Sequence, residues 1–197
     1  MSIRTKVVLA ACTLLVAACG GNTTTASPST TTVTSATTSS TTSTAGTPAT
    51  TAAVGTCRTD SLRVTLGPGQ GAAGHYYVPI VFTNTGRTCA ITGFPGVSYY
   101  AGADHHQVGD AASREPGPIP TIVLGAGESA FAWLNQVNVD NYDPAVCQPV
   151  AVTGLRVYPP DNTGPVLLPE PNARGCVRPM AGQQLTVRAV REGASPN

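Results

Sequence analysis

Charged residues are scarce in this chain of 197 residues, where they occupy 11% of the positions, against a usual share of about 25%. The formal net charge is +1, and two of the positive charges, on Arg4 and Lys6, lie close to the start of the chain. A near-neutral chain without a basic stripe binds nucleic acid poorly, because counterion release requires many phosphate contacts. Attraction to a membrane through a polybasic patch is excluded on the same ground. We therefore expect no nucleic-acid partner.

Catalytic motifs are missing as well. Beyond Lys6 the chain has no lysine, which removes lysine nucleophiles and Schiff-base chemistry. There is no G-x-S-x-G elbow, no H-E-x-x-H pair and no P-loop, and the glycine-rich segment 67–71 is more typical of a hairpin loop than of a phosphate cradle. These absences predict a non-enzymatic protein without a cofactor. An extracytoplasmic hydrolase or metal-dependent enzyme stays the alternative, because the members of a catalytic triad need not be adjacent in sequence.

Two polar segments offer metal ligands, but each set is incomplete. The segment 104–106 reads DHH, and adjacent histidines point to opposite faces if the segment is a strand. The segment 140–143 reads DNYD and offers the oxygen ligands that calcium prefers, without the spaced carboxylates of a calcium loop. We therefore predict no metal site.

Residues 1–18 have the features of a secretory signal peptide. A basic start precedes an uncharged apolar run over 7–17, which is too short to span a bilayer core. Small residues and then Cys19 follow, an order that resembles a bacterial lipobox, in which the cysteine becomes the new N-terminus and carries lipid. Cys12 ends a second match, but cleavage there would leave an apolar run of only a few residues. We expect acylation of Cys19, with the membrane as its partner and a location on the extracytoplasmic face of the cell membrane.

Residues 19–55 then form a tether. Positions 20–55 carry no charge and no large aromatic residue, and they hold fifteen threonines and six serines. Such a composition cannot bury enough apolar surface to offset the entropy of ordering the chain. The segment is predicted to be a disordered linker between the lipid anchor and a folded domain, 56–197.

The folded domain is predicted to be all-β. Residues 62–66 alternate cleanly between apolar and polar side chains, and turn residues recur every 8–12 positions or so, a spacing typical of a β-sandwich or barrel. No segment has a sustained helical pattern. The predicted strands cover 62–66, 76–84, 89–93, 97–100, 119–124, 131–139, 150–158, 166–168 and 184–190.

Four cysteines remain in this domain: Cys57, Cys89, Cys147 and Cys176. They allow three pairings, and the sequence alone does not choose among them. Pairing neighbours in order, Cys57 with Cys89 and Cys147 with Cys176, is our preferred interpretation, and each bond would contribute about 3–4 kcal/mol in the chain-entropy model. Metal binding is the rival interpretation, but it favours closely spaced pairs, and these cysteines are isolated. Disulfides indicate an oxidising compartment.

The aromatic residues suggest both a core and a surface. Phe131 and Trp133 lie two positions apart and so face one side of their strand, which we assign to the core. Tyrosine pairs at 76–77 and 99–100 should each place one ring outward in a strand, and exposed tyrosine is favoured at binding surfaces. We therefore predict a possible binding surface, with a sharp Phe94-Pro95-Gly96 loop as a candidate tip. Its residues are Tyr76, Tyr99, Tyr100 and Phe94.

One local pattern is recognisable. The block TNTG at 83–86 is followed by CAITGFPGV at 89–97, then by LGAGESA at 124–130 and the last cysteine pair. This pattern resembles the domain-of-unknown-function 4232 family, common in secreted and lipid-anchored actinobacterial proteins, over nearly all of 57–191. The resemblance implies an immunoglobulin-like fold in the cell envelope and no established activity. We expect a lipid-anchored binding or structural domain whose partner is an envelope protein or a glycan.

Overall fold

The computed structural model describes residues 54–178 and 182–195. The predicted signal peptide, Cys19 and nearly all of the predicted linker lie outside the described residues. No helix within the described ranges is long and apolar enough to cross a bilayer.

Strands dominate the described part of the chain. The helical segments there are short: 3₁₀ turns at Thr59–Ser61 and Val139–Asn141, and one α-helical turn, α1, at Pro144–Cys147. The strands are β1 (Leu62–Leu66), β2 (Gln70–Ala72), β3 (His75–Asn84), β4 (Cys89–Thr92), β5 (Gly96–Ala101), β6 (His106–Val108), β7 (Ser113–Arg114), β8 (Thr121–Leu124), β9 (Ser129–Val137), β10 (Pro149–Ala151), β11 (Gly154–Tyr158), β12 (Val166–Pro169), β13 (Arg174–Cys176), β14 (Leu185–Val187) and β15 (Arg191–Glu192).

Two sheets pack face to face. The larger has the order β1-β3-β9-β14-β7, with β2 also beside β3 and β15 also beside β9, and the smaller has the order β12-β11-β5-β6. Their facing side chains form one hydrophobic core that includes Ile80, Phe82 and Leu134 from the larger sheet and Val97 and Leu155 from the smaller. Two-stranded ladders, β4 with β8 and β10 with β13, complete the fold. The predicted all-β sandwich is confirmed.

Two disulfides join the cysteines in the predicted order. The sulfur atoms are 2.07 Å apart in Cys57–Cys89 and 2.05 Å apart in Cys147–Cys176. The first bond fastens the chain before β1 to β4. The second fastens α1 to β13, where Val139 and the partly buried Tyr142 pack against it in a small separate cluster. The prediction of two disulfides, and of this pairing, is confirmed.

Pro79 lies in the middle of β3, a strand with neighbours on both sides. A proline has no backbone N–H and normally avoids such a place. Here β1 pairs with residues 80–84, and β2 pairs with residues 75–77. Pro79 falls in the gap between them, where its carbonyl accepts from the Gly67 N–H at 2.8 Å. The N–H that Pro79 lacks therefore costs no hydrogen bond between strands, because neither β1 nor β2 pairs with β3 at this position.

One predicted strand is divided in the structure. The sequence predicts a single strand over 150–158, but this segment divides into β10 and β11, because the chain leaves β13 and joins the smaller sheet after Val152.

The side of β9 that carries Phe131 and Trp133 also differs from the expectation. The two residues do share one side of β9, as period two requires, but that side faces away from the two-sheet core. Ala130, Ala132 and Leu134 face the core instead. The core assignment of Phe131 and Trp133 is therefore wrong, although Phe131 is itself buried.

Candidate functional site

A cleft of about 660 Å³ opens at one end of the sandwich. One wall is the turn between β2 and β3, and the other is the chain that follows β12, residues 170–174, which we call the Glu170 loop. The end of β9 and the turn after it lie between these walls. The cleft thus lies where both sheets end and where three connections meet, the common place for a binding site on a rigid scaffold.

The β2–β3 turn is a two-residue hairpin. Ala73 and Gly74 both have positive φ, 47° and 81°, as a type I′ turn requires. The Gly74 carbonyl accepts from the Asn138 N–H at 2.9 Å and from Asn141 Nδ2 at 2.9 Å. These two bonds fasten the turn to the segment after β9, so this wall of the cleft is fixed. The glycine-rich segment 67–71, which the sequence suggested as a hairpin loop, instead connects β1 to β2, and both of these strands pair with β3. The hairpin turn is the one at Ala73 and Gly74.

A chain of hydrogen bonds, buried at Tyr99 and partly buried at Glu170, forms the floor. Tyr99 on β5 and Gln136 on β9 belong to different sheets and are 3% and 5% exposed. The Tyr99 hydroxyl donates to Gln136 Oε1, and Gln136 Nε2 donates to Glu170 Oε1 at 2.7 Å. Because the amide of Gln136 is held from both ends, the three side chains form one rigid polar unit across the sandwich.

The carboxyl group of Glu170 is the unusual member of this chain. Its Oε2 atom is buried and has no hydrogen-bond partner within 54–178 and 182–195, which is costly for a charged oxygen. Burial raises the pKa of Glu170, against the opposing effect of the hydrogen bond from Gln136. Burial also raises the pKa of Tyr99, and the nearby Glu170 carboxyl adds to that shift. Tyr99 therefore keeps its proton. Glu170 Oε2 lacks a hydrogen-bond donor among the described residues.

Tyr76 and Arg174 lie at the rim. Tyr76 pairs with Gln136 across the β3–β9 ladder, and it is 43% exposed because the core ends there. Arg174, on the other wall, lies 3.5 Å from Asp140 in an exposed ion pair, which contributes little to stability. The rim therefore offers an aromatic ring and a guanidinium group above the buried floor.

The structure brings together two of the four residues predicted for a binding surface. Tyr76 and Tyr99 both line the cleft, whereas Tyr100 and Phe94 do not. Tyr100 faces the other side of β5, where it is 4% exposed and its ring meets His105 edge to face at 5.3 Å. Phe94 is partly buried against the core, with the Arg114 guanidinium 5.5 Å above its ring.

The expectation that one tyrosine of the 99–100 pair faces outward is wrong. Tyr99 faces the core, and Tyr100 is covered on the outer side, so both faces of β5 are buried at this point. Phe94 is held by a neighbouring cation and by packing, so it does not project from its loop. Only Tyr76, among the four, has the exposure that the sequence argument required.

The segments considered for metal binding have other partners. His106 Nδ1 and Asp104 Oδ1 are 2.8 Å apart, and this hydrogen bond lowers the pKa of the exposed Asp104 carboxyl. Asp143 caps α1 by accepting from the Ala145 N–H at 2.8 Å. No group of three or more His, Cys, Asp or Glu side chains within the described ranges is placed to hold a metal ion.

The profile of one protein family matches residues 57–191, two thirds of the chain. That family is DUF4232, whose description is a domain of unknown function. The chain belongs to the DUF4232 family. The resemblance stated from the TNTG and GFPGV blocks is therefore confirmed. No curated protein matches the chain significantly, and no solved structure does so either.

Sequence reasoning did not identify two site residues of this DUF4232 domain, Gln136 and Glu170. Gln136 lies on the core side of β9, where its neighbours Ala132 and Leu134 are apolar. A polar side chain at a core position of an alternating strand is a signal that the sequence does contain, since buried polar groups need specific partners. Glu170 follows a Pro-ended strand and carries no local signal, because only the packing of the Glu170 loop buries it.

Proposed function

We propose that this DUF4232 protein is a lipid-anchored protein of the cell envelope whose β-sandwich binds a ligand in the cleft above Glu170. The observation that carries the binding role is the rigid floor of Tyr99, Gln136 and Glu170, which is formed before any ligand arrives. A preorganised site loses little entropy when it binds. Polar groups that converge in a concave site are typical of ligand recognition.

Two features support the envelope location: the N-terminal sequence pattern and the disulfides of the folded domain. Residues 1–19 carry the signal peptide and lipobox pattern, and residues 20–55 have the composition of a tether. The domain beyond the tether has both of its disulfides closed, as proteins of oxidising compartments do. We infer that the lipid anchor and the linker hold the disulfide-bonded domain at a distance from the membrane, where its binding site is accessible.

The ligand we propose carries a protonated amine. Glu170 lines the cleft, and its Oε2 has no partner among the described residues. Because that oxygen is buried, a donor from the ligand would supply the missing hydrogen bond through a small outward shift of the Glu170 loop. Ionisation of Glu170, which burial disfavours, would then be compensated by a charged amine. Tyr76 at the rim would contact the rest of the ligand, since tyrosine offers a large contact area at low entropic cost.

A binding role fits this floor better than hydrolysis does. The Tyr99 proton is engaged with Gln136, and burial raises the pKa of the phenol, so Tyr99 is a poor base and a poor nucleophile. His75, which lines the cleft, directs Nδ1 to Asn135 Oδ1 at 2.9 Å. Tyr99, Glu170 and His75 are thus already paired with amides, an arrangement that holds a shape and does not activate a nucleophile.

The anchor is tested by fractionating cells that express the full chain. We expect the wild type in the membrane fraction, Cys19→Ser in the soluble fraction, and Cys12→Ser, the matched control, still in the membrane. Mass spectrometry of the mature N-terminus should find an acylated cysteine at position 19. Release by Cys12→Ser in place of Cys19→Ser, or membrane retention of both variants without any lipid, would overturn the proposed anchor.

The cleft is tested by titrating the full chain with soluble muropeptides, whose stem peptides carry free amines, and with the same muropeptides after N-acetylation of those amines. We expect amide resonances at Gly74, Gln136 and Ala173 to shift with the free-amine form. Glu170→Gln should weaken binding about tenfold or more through loss of the charged contact. Glu192→Gln, an exposed change on β15, is the control. Shifts confined to other residues, or equal binding by Glu170→Gln, would contradict the proposed cleft ligand.

A further inference from the structure

The outer face of the larger sheet carries a second, aromatic concavity. Its floor is Tyr77 on β3 and Trp133 on β9, which are diagonal neighbours, since Tyr77 pairs with Asn135 and Trp133 pairs with Pro79. Beyond Trp133 the chain of β14 continues to Arg188, whose N–H donates to the Trp133 carbonyl at 2.9 Å. These side chains face away from the core, so the core packing does not account for the two rings.

Both rings are held in place from the side. The Phe131 ring meets the Trp133 ring edge to face at 6.2 Å and 90°, and Phe131 is itself 5% exposed. Tyr77 stacks with His75 at 6.0 Å and 17°, and His75 is in turn hydrogen-bonded to Asn135. A partly exposed ring with a fixed orientation binds a flat surface without first losing rotamer freedom.

The walls of this concavity are polar. A pocket of about 380 Å³ is lined by Tyr77 and Trp133 together with the edge of β2, where Gln70 is exposed, and by Arg188 opposite. Gln70 pairs with Tyr77 in the β2–β3 ladder, so its side chain rises from the same face as the rings. The next two lining residues, Gly71 and Ala72, have small side chains, so the pocket is open beside Gln70.

The net charge of the walls is close to neutral. Arg188 forms a two-point ion pair with Glu115, with Nε and Nη2 at 2.9 and 2.8 Å from the two carboxylate oxygens. This pair lowers the pKa of Glu115 and does not use the Nη1 hydrogens of Arg188, which no other described residue accepts. The site therefore offers two aromatic rings, one amide and one guanidinium, without an uncompensated charge.

We propose that this concavity, formed by Trp133, Tyr77, Gln70 and Arg188, is a binding site for a neutral saccharide. The C–H face of a pyranose ring is flat, apolar and slightly positive, and it matches the negative π-face of an indole. Ring hydroxyl groups both donate and accept, as the Gln70 amide and the Arg188 guanidinium require. The site takes its two rings from the outer face of the larger sheet, whereas it shares the β2 residues Gly71 and Ala72 with the cleft. Variants of side chains that line only one of the two pockets therefore distinguish them.

The test uses the full chain purified in a detergent without a sugar headgroup. Trp133 is the single tryptophan of the sequence, so its emission reports this site alone. The probes are the tetrasaccharides of N-acetylglucosamine, mannose and glucose. We expect at least one of them to shift the Trp133 emission to shorter wavelengths with a saturable curve, at dissociation constants of about 0.01–1 mM.

Variants separate this site from the cleft. Calorimetry should show that Trp133→Ala abolishes binding and that Gln70→Ala weakens it several-fold, while Trp133→Phe, which keeps a smaller ring and the packing, binds weakly. Tyr76→Ala, a change in the cleft, should have no effect. The proposal is overturned if no tetrasaccharide shifts the emission at about 10 mM. It is also overturned if a folded Trp133→Ala variant binds normally, or if Tyr76→Ala alone removes binding.

Discussion

Replacement of Asn84 by alanine should be among the most damaging single changes in this domain. Asn84 ends β3 with none of its surface exposed. The two hydrogens of its Nδ2 serve the Arg87 carbonyl at 2.9 Å and the Leu124 carbonyl at 2.9 Å, and the Gly125 carbonyl at 3.2 Å shares one of them. Its Oδ1 accepts from the Gly86 N–H at 2.9 Å. One side chain thus joins its own turn to the end of β8.

The expected cost follows from these four contacts. A net contribution of about 1 kcal/mol per hydrogen bond, with a larger penalty for a buried group left unpaired, gives about 3–5 kcal/mol for Asn84→Ala. The Leu124 carbonyl is the group that water cannot reach after the change, because that bond is fully buried. Against a total stability of about 5–15 kcal/mol, this loss should lower the melting temperature by about 10–20 °C.

The assay is urea unfolding at neutral pH with both disulfides intact, followed by the fluorescence of Trp133. The control is Asn138→Ala, which removes a single exposed contact, the bond from the Asp140 N–H at 3.1 Å, and should cost about 1 kcal/mol. Asn84→Asp keeps the acceptor but turns a carboxylate oxygen towards the carbonyl oxygens, so its cost should equal or exceed that of alanine. A loss below about 1.5 kcal/mol for Asn84→Ala would refute the reasoning, since it would mean that water replaces the buried donor.

Three further predictions concern the cleft and its supports. The pKa of Glu170 is raised above its ordinary value of 4.5, so the folded protein binds this proton more tightly than the unfolded chain does. The free energy of unfolding should therefore fall as pH rises through and above that value. Glu170→Gln should flatten this dependence in unfolding titrations. Ala73 has a positive φ of 47°, and Ala73→Asn should stabilise the domain by about 0.5–1 kcal/mol in urea melts, because asparagine tolerates that conformation; a destabilised variant would count against the assigned turn. Replacing Cys147 and Cys176 together by alanine should cost about 3–4 kcal/mol, as loss of a disulfide over a separation of 29 residues, and an unchanged urea midpoint would contradict that value.

Local pattern was enough to predict most of the strands, whereas the pairing of the cysteines was a preference among three that the structure decided. Residues 62–66 alternate in the sequence, and β1 has the matching pattern of buried and exposed side chains. The cysteines pair with their neighbours in order because each pair closes a loop within a neighbouring part of the fold. Turn residues also marked where strands end, as at Gly125-Ala126-Gly127 before β9. Strand alternation and turn residues depend on neighbours within a few positions and can be read without coordinates, whereas loop length only ranked the three cysteine pairings.

The sequence by itself determined that Phe131 and Trp133 share one side of a strand, because the side-chain period of a strand is two. Only the tertiary structure decided which side that is, since this depends on where the smaller sheet packs. The floor of the cleft was decided in the same way. Tyr99, Gln136 and Glu170 are separated by 37 and 34 positions, and no local pattern joins residues so far apart. Their meeting follows from the packing of two sheets and a loop, which bury a tyrosine expected at the surface and leave one carboxylate oxygen without a partner.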